Sequence, residues 1–275
     1  HVRENEGGLT NRSLNPGPLE SYRPAMTNIS PRIDAAVQSA IDQKRLVGAV
    51  IAVMQDGNLA HLKAYGLSDR EAGAPMKADS LFRLASISKP IVTAAAMRMI
   101  ELGKFKLDTP VTDFLPGFKP KAPDGSTPVI TIRHLLTHTS GLPSNYPAGM
   151  VDVYTKRDRT LNETTIAISQ QPLMFEPGSK WSYCNPGLDT LGRIIEVVSG
   201  LSYEVFMQKR IFEPLGMKET TPYPGKELLA RTAVTYTRTK EGALEPVKNT
   251  LLDLPREPKH PVPAGGLYST ANDLS

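Results

Sequence analysis

A central helix is predicted by the segment Leu84-Ala85-Ser86-Ile87-Ser88-Lys89-Pro90-Ile91-Val92-Thr93-Ala94-Ala95-Ala96-Met97-Arg98-Met99-Ile100-Glu101-Leu102-Gly103. Ala, Leu and Met are strong helix formers, and Gly103 is a natural helix end. Because nearly every side chain from Ile91 to Ile100 is small or apolar, we expect this helix to be buried all round inside a core, with Met97 and Met99 as core residues.

Ser86 and Lys89 lie at the front of this helix, three residues apart and therefore on one helical face. The positive end of the helix dipole favours the anionic form of a Ser oxygen and the neutral form of a Lys amine. A neutral Lys can accept the proton of the Ser hydroxyl, which activates the Ser as a nucleophile. A Ser and a Lys in the first turn of a surface helix would have the same spacing, so the pair alone leaves both interpretations open.

The composition is typical of a globular enzyme. The 275 residues, of which 40% are hydrophobic and 22% charged, suffice for one large domain or two medium ones. The net charge of +4 arises from interspersed basic and acidic residues, so we expect no nucleic-acid partner. Arg98 and Glu101 interrupt the apolar run over 94–102, and no run is long enough for a membrane span. The single Cys184 excludes an internal disulfide.

Residues 1–30 are predicted to be an N-terminal arm or the remnant of a leader, because their first 28 residues are polar and have no periodicity. The chain begins with His1, which is compatible with a cleaved secretion signal and equally with a tag remnant. Among the possible locations, we favour the periplasm or secretion.

Two further parts are predicted. Residues 31–80 begin an α/β sheet domain, with an amphipathic helix over 31–44 that Ser30 caps. A buried strand over 48–54, an Asp56-Gly57 turn and a return strand over 59–65 follow. Residues 81–275 are predicted to be a mostly helical domain that carries the site motifs, with loops and a strand or two over 220–263. Its further predicted helices are 131–136, 161–169, 188–198 and 203–211.

Tyr183 and Asn185 form a second polar group, in a turn-rich segment just before a helix. If the segment is extended, these two side chains point to one side and Cys184 points to the other. A phenol near a cationic Lys can have a lowered pKa and shuttle a proton, and the amide can hydrogen-bond both the Lys and a substrate. A packed aromatic residue followed by a turn Asn before Pro186 is the alternative interpretation.

Taken together, the Ser-x-x-Lys and Tyr-x-Asn motifs resemble those of the serine β-lactamase and penicillin-binding-protein superfamily. The resemblance is to the class C β-lactamase branch, which includes the family VIII carboxylesterases, and it runs from about Pro31 to the last residue. It implies an α+β fold in which an antiparallel sheet flanked by helices joins a mostly helical domain. Further segments that carry it are 81–86, 134–142, 212–217 and 264–270.

This resemblance implies that Ser86 forms an acyl-enzyme, that Lys89 and Tyr183 transfer its proton, and that Tyr183 later activates water. It also implies that Asn185 orients Lys89 and the substrate, that the Ser86 N–H is one oxyanion donor, and that no cofactor or metal is needed. The expected substrate is a small-molecule ester or amide. We favour a carboxylesterase over a β-lactamase or D-alanyl-D-alanine carboxypeptidase, because nothing in the sequence marks a penicillin pocket. A non-catalytic binding protein that kept the fold is the alternative of another class.

The resemblance is incomplete at one point. A third motif of the superfamily, a Lys- or His-containing triplet ending in Gly on a late strand, has no candidate after Tyr183. We therefore expect the chain to lack the C-terminal strands and helix of the fold, so that either a second chain supplies them or the sequence is a fragment. We expect the isolated polypeptide to be poorly folded and inactive. A cooperatively folded, active monomer would contradict this expectation.

His134 and His138 have the i, i+4 spacing of two metal ligands. No Glu at the usual place between them and no third ligand is evident, so we interpret them as part of a structural turn. The absence of a Gly-x-Ser-x-Gly motif argues against an α/β-hydrolase.

Overall fold

The computed structural model describes residues 29–150, 153–247 and 257–275. The predicted N-terminal arm therefore lies outside the described residues apart from its last two, as does part of the predicted loop region, residues 248–256.

The first part of the fold is a helix on a small antiparallel sheet. Helix α1 covers Ser30–Asp42, and strands β1 (Gly48–Gln55), β2 (Asn58–Asp69) and β3 (Ala74–Pro75) form a sheet in that order. Residues 56 and 57, the predicted Asp-Gly turn, both have positive φ, at 51° and 75°. Two-residue hairpin turns require this backbone because it matches the twist of the strands. The predicted hairpin is confirmed, but the expectation that its first strand is buried is wrong, because every residue of β1 is half-buried or exposed.

We expected Ser30 to cap helix α1, but Ser30 is instead the first residue of the helix. Its Oγ lies 3.0 Å from His61 Nδ1 on β2, and the Tyr65 hydroxyl of the same strand donates to Asp34 at 2.7 Å. The prediction was wrong because the hydroxyl is used in this tertiary contact, which attaches α1 to the sheet.

Helix α2 covers Ser88–Glu101 and follows a 3₁₀ turn over Ala85–Ile87. The expectation that the helix is buried all round is wrong, because Met97 is 45% exposed and Arg98 also faces solvent. Two of the exposed residues of this helix, Arg98 and Glu101, are charged, and charged side chains belong in solvent. The buried residues recur at helical spacing and are Ser88, Lys89, Val92, Ala95, Ala96 and Met99.

Helix α6 (Asn185–Ser199) packs against α2 and begins three residues before its predicted start. The earlier start results from Cys184, whose sulfur accepts the Gly187 N–H at 3.3 Å and so caps the helix. The helix ends at Gly200, which has the left-handed conformation that glycine adopts readily.

Two other predicted helices are confirmed, each with an N-terminal capping box. They are α3 (Ile132–Leu136), capped by Thr131, and α5 (Leu161–Ser169), capped by Thr160. The predicted helix over 203–211 is instead α7 (Tyr203–Met207) followed by a π-helical turn over Gln208–Phe212. The remaining elements are α4 (Val153–Lys156), α8 (Glu213–Leu215), α9 (Lys226–Leu229), β4 (Phe82–Arg83) paired with β7 (Tyr268–Ser269), and β5 (Tyr236–Arg238) paired with β6 (Leu244–Pro246).

The hydrophobic core lies among the helices. The described members of its main cluster of buried residues fall between Leu84 and Leu267. By contrast, the residues of β1 are half-buried or exposed along the whole strand. The helical part therefore supplies the rigid support of the site. In the ranges that the structure describes, no helix has the length and apolarity needed to cross a bilayer.

Candidate active site

Ser86 lies on the surface, in the turn that connects β4 to α2. Ala85, just before it, has a φ of 46°, an uncommon value for a non-glycine residue. The segment near the C-terminus of the chain holds this turn in place, since Leu84 N–H donates to Leu267 O at 2.9 Å and Leu267 N–H donates to Ser88 Oγ at 3.2 Å. The strained backbone is thus fixed from both sides and presents the hydroxyl to solvent.

Lys89 is the buried partner of Ser86. Its side chain is at the core-facing side of α2, and the residue is only 8% exposed. Its Nζ donates to Ser86 Oγ at 3.1 Å and to the backbone oxygen of Ala264 at 2.7 Å. The predicted neighbour pair is therefore formed, and the carbonyl oxygen fixes the amine in position.

Tyr183 approaches Ser86 from the other side. Its hydroxyl donates to Ser86 Oγ at 2.6 Å, and Lys89 Nζ lies 4.7 Å from the centroid of its ring. Burial acts to raise the pKa of Tyr183, but hydrogen bonds to Lys89 and Ser86 and the positive charge of Lys89 outweigh it, so the pKa is lowered. A phenol with a lowered pKa, in contact with a hydroxyl, is suited to accept that hydroxyl's proton.

The segment of Tyr183 is extended, as predicted, with Tyr183 38% exposed and Cys184 2% exposed. His138 contacts both the backbone and the tyrosine ring of this segment. Its Nδ1 accepts the Cys184 N–H at 3.1 Å, and its ring centroid lies 4.7 Å from that of Tyr183. The ring and backbone of the Tyr183 segment are thus both supported by one histidine.

Asn185 is half-buried in the first turn of α6. Its side chain makes no hydrogen bond to another residue of the described ranges, so the expected bond between Asn185 and Lys89 is not formed. The amine of Lys89 instead uses the carbonyl oxygen of Ala264, which lies 2.7 Å away. The amide of Asn185 therefore remains available for an external group.

The two histidines of the i, i+4 pair have separate local contacts. His134 Nδ1 accepts the Thr131 N–H at 3.3 Å in the capping box of α3, whereas His138 supports Tyr183. No group of three or more His, Cys, Asp and Glu side chains that could hold a metal ion occurs in the described part of the chain.

Asp189 was missed by the sequence analysis. It lies one turn after Asn185 on α6, is fully buried, and accepts the Ala264 N–H through Oδ1 at 2.9 Å. Tyr146 O–H donates to its Oδ2. Burial raises the pKa of Asp189 to about 6, although the Tyr146 and Ala264 hydrogen bonds oppose this effect. The signal that could have found it is a carboxylate at the start of the otherwise mostly apolar helix over 188–198.

His260 also faces Asp189 from the loop that contains Ala264. Its Nε2 lies 3.9 Å from Asp189 Oδ2, which is too long for a hydrogen bond. Burial, together with the charge of Arg157, lowers the pKa of His260 to about 3, so this imidazole is neutral near pH 7. The pair is therefore a polar contact and not an ion pair.

Comparison with known proteins identifies the family and the fold of the chain. The family profile described as Beta-lactamase matches residues 33–275. The relative named esterase EstB, from Burkholderia gladioli, is 40% identical over 220 residues, which are 77% of this chain and 55% of EstB. Overall, the chain spans about half the length of the curated relatives that it matches.

Solved structures share the fold. The structure titled "EstCE1, a hydrolase with promiscuous acyltransferase activity" superimposes with a TM-score of 0.80 at 32% identity, covering 90% of this chain and 70% of that one. A class C β-lactamase from Rhodobacter sphaeroides gives a TM-score of 0.66 at 32% identity, covering 88% and 62% of the two chains. The fold is therefore of the β-lactamase and transpeptidase type, and the chain belongs to the β-lactamase family of serine hydrolases.

Proposed function

We propose that this protein is a serine hydrolase that forms an acyl-enzyme on Ser86 and acts as a carboxylesterase. The observation that carries the proposal is the hydrogen bonding of Ser86 Oγ to both Lys89 Nζ, at 3.1 Å, and Tyr183 OH, at 2.6 Å. A nucleophile in contact with two proton-transfer groups, one of which has a lowered pKa, meets the requirements for covalent catalysis.

In the proposed reaction, Ser86 Oγ attacks the ester carbonyl carbon, and its proton passes to the Lys89–Tyr183 pair. The oxyanion of the tetrahedral intermediate accepts a hydrogen bond from the Ser86 N–H. As the intermediate collapses, the ester C–O bond breaks and the alcohol leaves with the proton. Water, deprotonated by Tyr183, then attacks the acyl-enzyme, and the acid leaves as Ser86 Oγ regains its proton.

Two further features support an ester with an apolar part as the substrate. Ile87 and Trp181, which lie next to Ser86 and near Tyr183 in the sequence, are 56% and 66% exposed. Exposed apolar side chains that neighbour the site residues in the chain favour an apolar acyl or alcohol group. Esterase is also the activity named for EstB, one of the relatives. In this proposal Asn185, which has no internal partner among the described residues, binds the polar part of the substrate.

The second oxyanion donor is part of the proposal as well. Because the sequence has no candidate for the third motif, we expect a late strand from another segment, or from a second chain, to supply this donor. Hydrolysis of β-lactams or of D-alanyl-D-alanine peptides is the second candidate function, and it is favoured by the class C β-lactamase among the structural neighbours.

A fluorophosphonate probe, applied to the chain together with the segment or second chain that supplies the second oxyanion donor and followed by intact-mass and peptide mass spectrometry, tests the proposal. We expect one adduct, on the peptide that contains Ser86, and no adduct in Ser86→Ala. Ser179→Ala is the control for the labelling position and should still acquire the adduct, because Ser179 is also exposed and its hydroxyl donates only to Glu176 O, at 2.6 Å. A panel of p-nitrophenyl esters, nitrocefin and a D-alanyl-D-alanine peptide then separates the candidate activities. A folded protein that acquires no adduct on Ser86 would support the non-catalytic alternative and refute the hydrolase.

A further inference from the structure

Asp189 is connected to the amine of Lys89 through a single residue. The Asp189 carboxylate accepts the Ala264 N–H at 2.9 Å, and the Ala264 carbonyl oxygen accepts from Lys89 Nζ at 2.7 Å. Both bonds are buried, and Ala264 itself is 1% exposed. The backbone of Ala264 is therefore hydrogen-bonded to Asp189 through its N–H group and to Lys89 through its carbonyl oxygen.

The loop around Ala264 has little freedom to compensate for loss of this contact. Val262 has a φ of 52°, which is an outlier for a β-branched residue, and its carbonyl accepts both the Gly265 and Gly266 N–H groups, at 2.9 and 2.7 Å. A strained backbone persists only where its surroundings fix it. The Asp189 hydrogen bond is one of the contacts that fix it.

The surroundings of Asp189 are buried on every side. Tyr146 O–H donates to it, and the Tyr154 hydroxyl lies 2.7 Å from that of Tyr146. The titratable and charged groups that face or electrostatically influence it from the surrounding elements are Lys89, Tyr146, Tyr154, Arg157, Cys184, Tyr203 and His260.

We propose that Asp189 is a positioning residue for the reaction, which through Ala264 holds the Lys89 amine against Ser86 and does so best as the carboxylate. This inference rests on the proposed function, because Lys89 is assigned there to proton transfer. An ionised carboxylate is a stronger acceptor for the Ala264 N–H than a neutral acid or amide is. Misplacement of a catalytic group by about 1 Å can reduce a rate by about 100-fold.

Steady-state ester hydrolysis by Asp189→Ala and Asp189→Asn tests the positioning role. For Asp189→Ala we expect kcat to fall by about 10- to 100-fold with little change in KM, because Asp189 and Ala264 are both buried and so are not exposed to a substrate. Asp189→Asn keeps an oxygen that can accept the Ala264 N–H and should recover part of kcat. A folded Asp189→Ala protein with unchanged kcat would overturn the proposal.

The dependence of kcat on pH distinguishes a positioning role from a merely structural one, because the loss of a merely structural residue would not change it. Since the pKa of Asp189 is about 6, we expect kcat of the wild type to include an ionisation near pH 6 that is missing from Asp189→Asn. Thr190→Val is the matched control, because Thr190 is equally buried on the same helix and its hydroxyl donates only to Pro186 O, at 2.9 Å. The ionisation should persist in this control. Its persistence in Asp189→Asn would contradict the proposal.

If the Asp189 variants do not fold, the Tyr146→Phe variant tests the positioning role of Asp189 instead. This change removes a hydrogen bond that lowers the pKa of Asp189, so the ionisation should move to higher pH. An unmoved profile would again overturn the proposal.

Failure of the proposed function can be distinguished from failure of this inference. If wild-type Ser86 acquires no adduct, the hydrolase is refuted, and the ¹³Cε NMR shift of Lys89 still tests the Asp189 connection. A shift that changes near pH 6 in the wild type and not in Asp189→Asn supports the connection. Identical titrations of the two proteins exclude it.

Discussion

Ser86 Oγ has two hydrogen-bond donors that are held in different ways. Lys89 is buried and fixed by Ala264, whereas Tyr183 is 38% exposed and rests on the His138 ring. The sequence predicted all three members of this contact from the spacing of two short motifs. It did not reveal the residues that fix them, because Ala264 contributes backbone atoms only and Asp189 acts through those atoms.

Removal of the Tyr183 hydroxyl tests its proton-transfer role. In Tyr183→Phe we expect kcat for ester hydrolysis to fall by about 100- to 10,000-fold, the usual range for loss of a general base. Stability should change little because the hydroxyl is at the surface. Tyr236→Phe, which removes a surface hydroxyl that contacts Glu71, is the control and should retain full activity. Equal activity of Tyr183→Phe and wild type would remove Tyr183 from the mechanism.

The buried carboxyl of Asp189 should make stability depend on pH. Its folded-state pKa of about 6 lies above the ordinary value of 3.8 for an aspartate, because burial favours the neutral acid. The stability that it contributes is therefore fully present below about pH 4 and is lost as pH rises through about 6. Relative to Asp189→Asn, the wild type should lose on the order of 3 kcal/mol of unfolding free energy over this interval. Urea unfolding of both proteins at a series of pH values measures the difference, which a normally ionising Asp189 would leave constant over this interval.

At the scale of the elements, helix α6 connects the candidate site to the core. Its first residue is Asn185, its buried side includes Leu191 and Ile195, and Gly192 packs against the loop that carries Ala264. The helix was predictable from its periodic apolar residues and its glycine end. Its contact with the loop was not, because the loop follows some 70 residues later along a path that has no periodic pattern.

Gly192 should tolerate no side chain. A Cβ there would lie 2.4 Å from Cγ of Pro263, next to Ala264 in the chain. We expect Gly192→Ala to lower the free energy of unfolding by about 1–3 kcal/mol through overpacking and to reduce kcat as the loop shifts. Thermal unfolding and ester hydrolysis measure the two effects.

Gly187→Ala on the same helix is the control for this prediction. A Cβ at Gly187 would be 3.6 Å from its nearest neighbour, which is an ordinary contact, and Ala is the better helix former by up to about 1 kcal/mol. The variant should be as stable as the wild type or more so. Similar destabilisation of both variants would mean that the contact with Pro263 is not the cause.

At the scale of the whole molecule, the side chains of the helical core are more deeply buried than those of strand β1. The described part of the main hydrophobic cluster lies within 84–267, whereas β1 pairs with β2 alone among the described residues and none of its residues is fully buried. A small sheet without a covered apolar face is only marginally stable. The stability of the β1–β2 hairpin therefore depends on helix α1 and on any other groups that cover its apolar side chains.

Hydrogen exchange should reveal this difference in the 275-residue chain. We expect the amides of β1 and β2 to exchange faster than those of α2 and α6, because strands with few buried side chains open locally at a lower free energy than the core. Peptide-level exchange with mass spectrometry measures it directly. Equal protection of β1 and α6 would show that the hairpin is as strongly supported as the core.

The sequence by itself predicted most of the elements and the residues that meet at the candidate site. Helical periodicity predicted α5 and α6, the Asp56-Gly57 turn predicted the hairpin, and two short motifs predicted Ser86, Lys89 and Tyr183, because each of these signals is local. Only the tertiary structure decided which side of α2 is buried and which groups hold Lys89. Ala264 lies 175 residues after Lys89 in the chain, and Asp189 lies 75 residues before Ala264. Contacts between such distant residues depend on the path of a loop, which local propensity and periodicity do not determine.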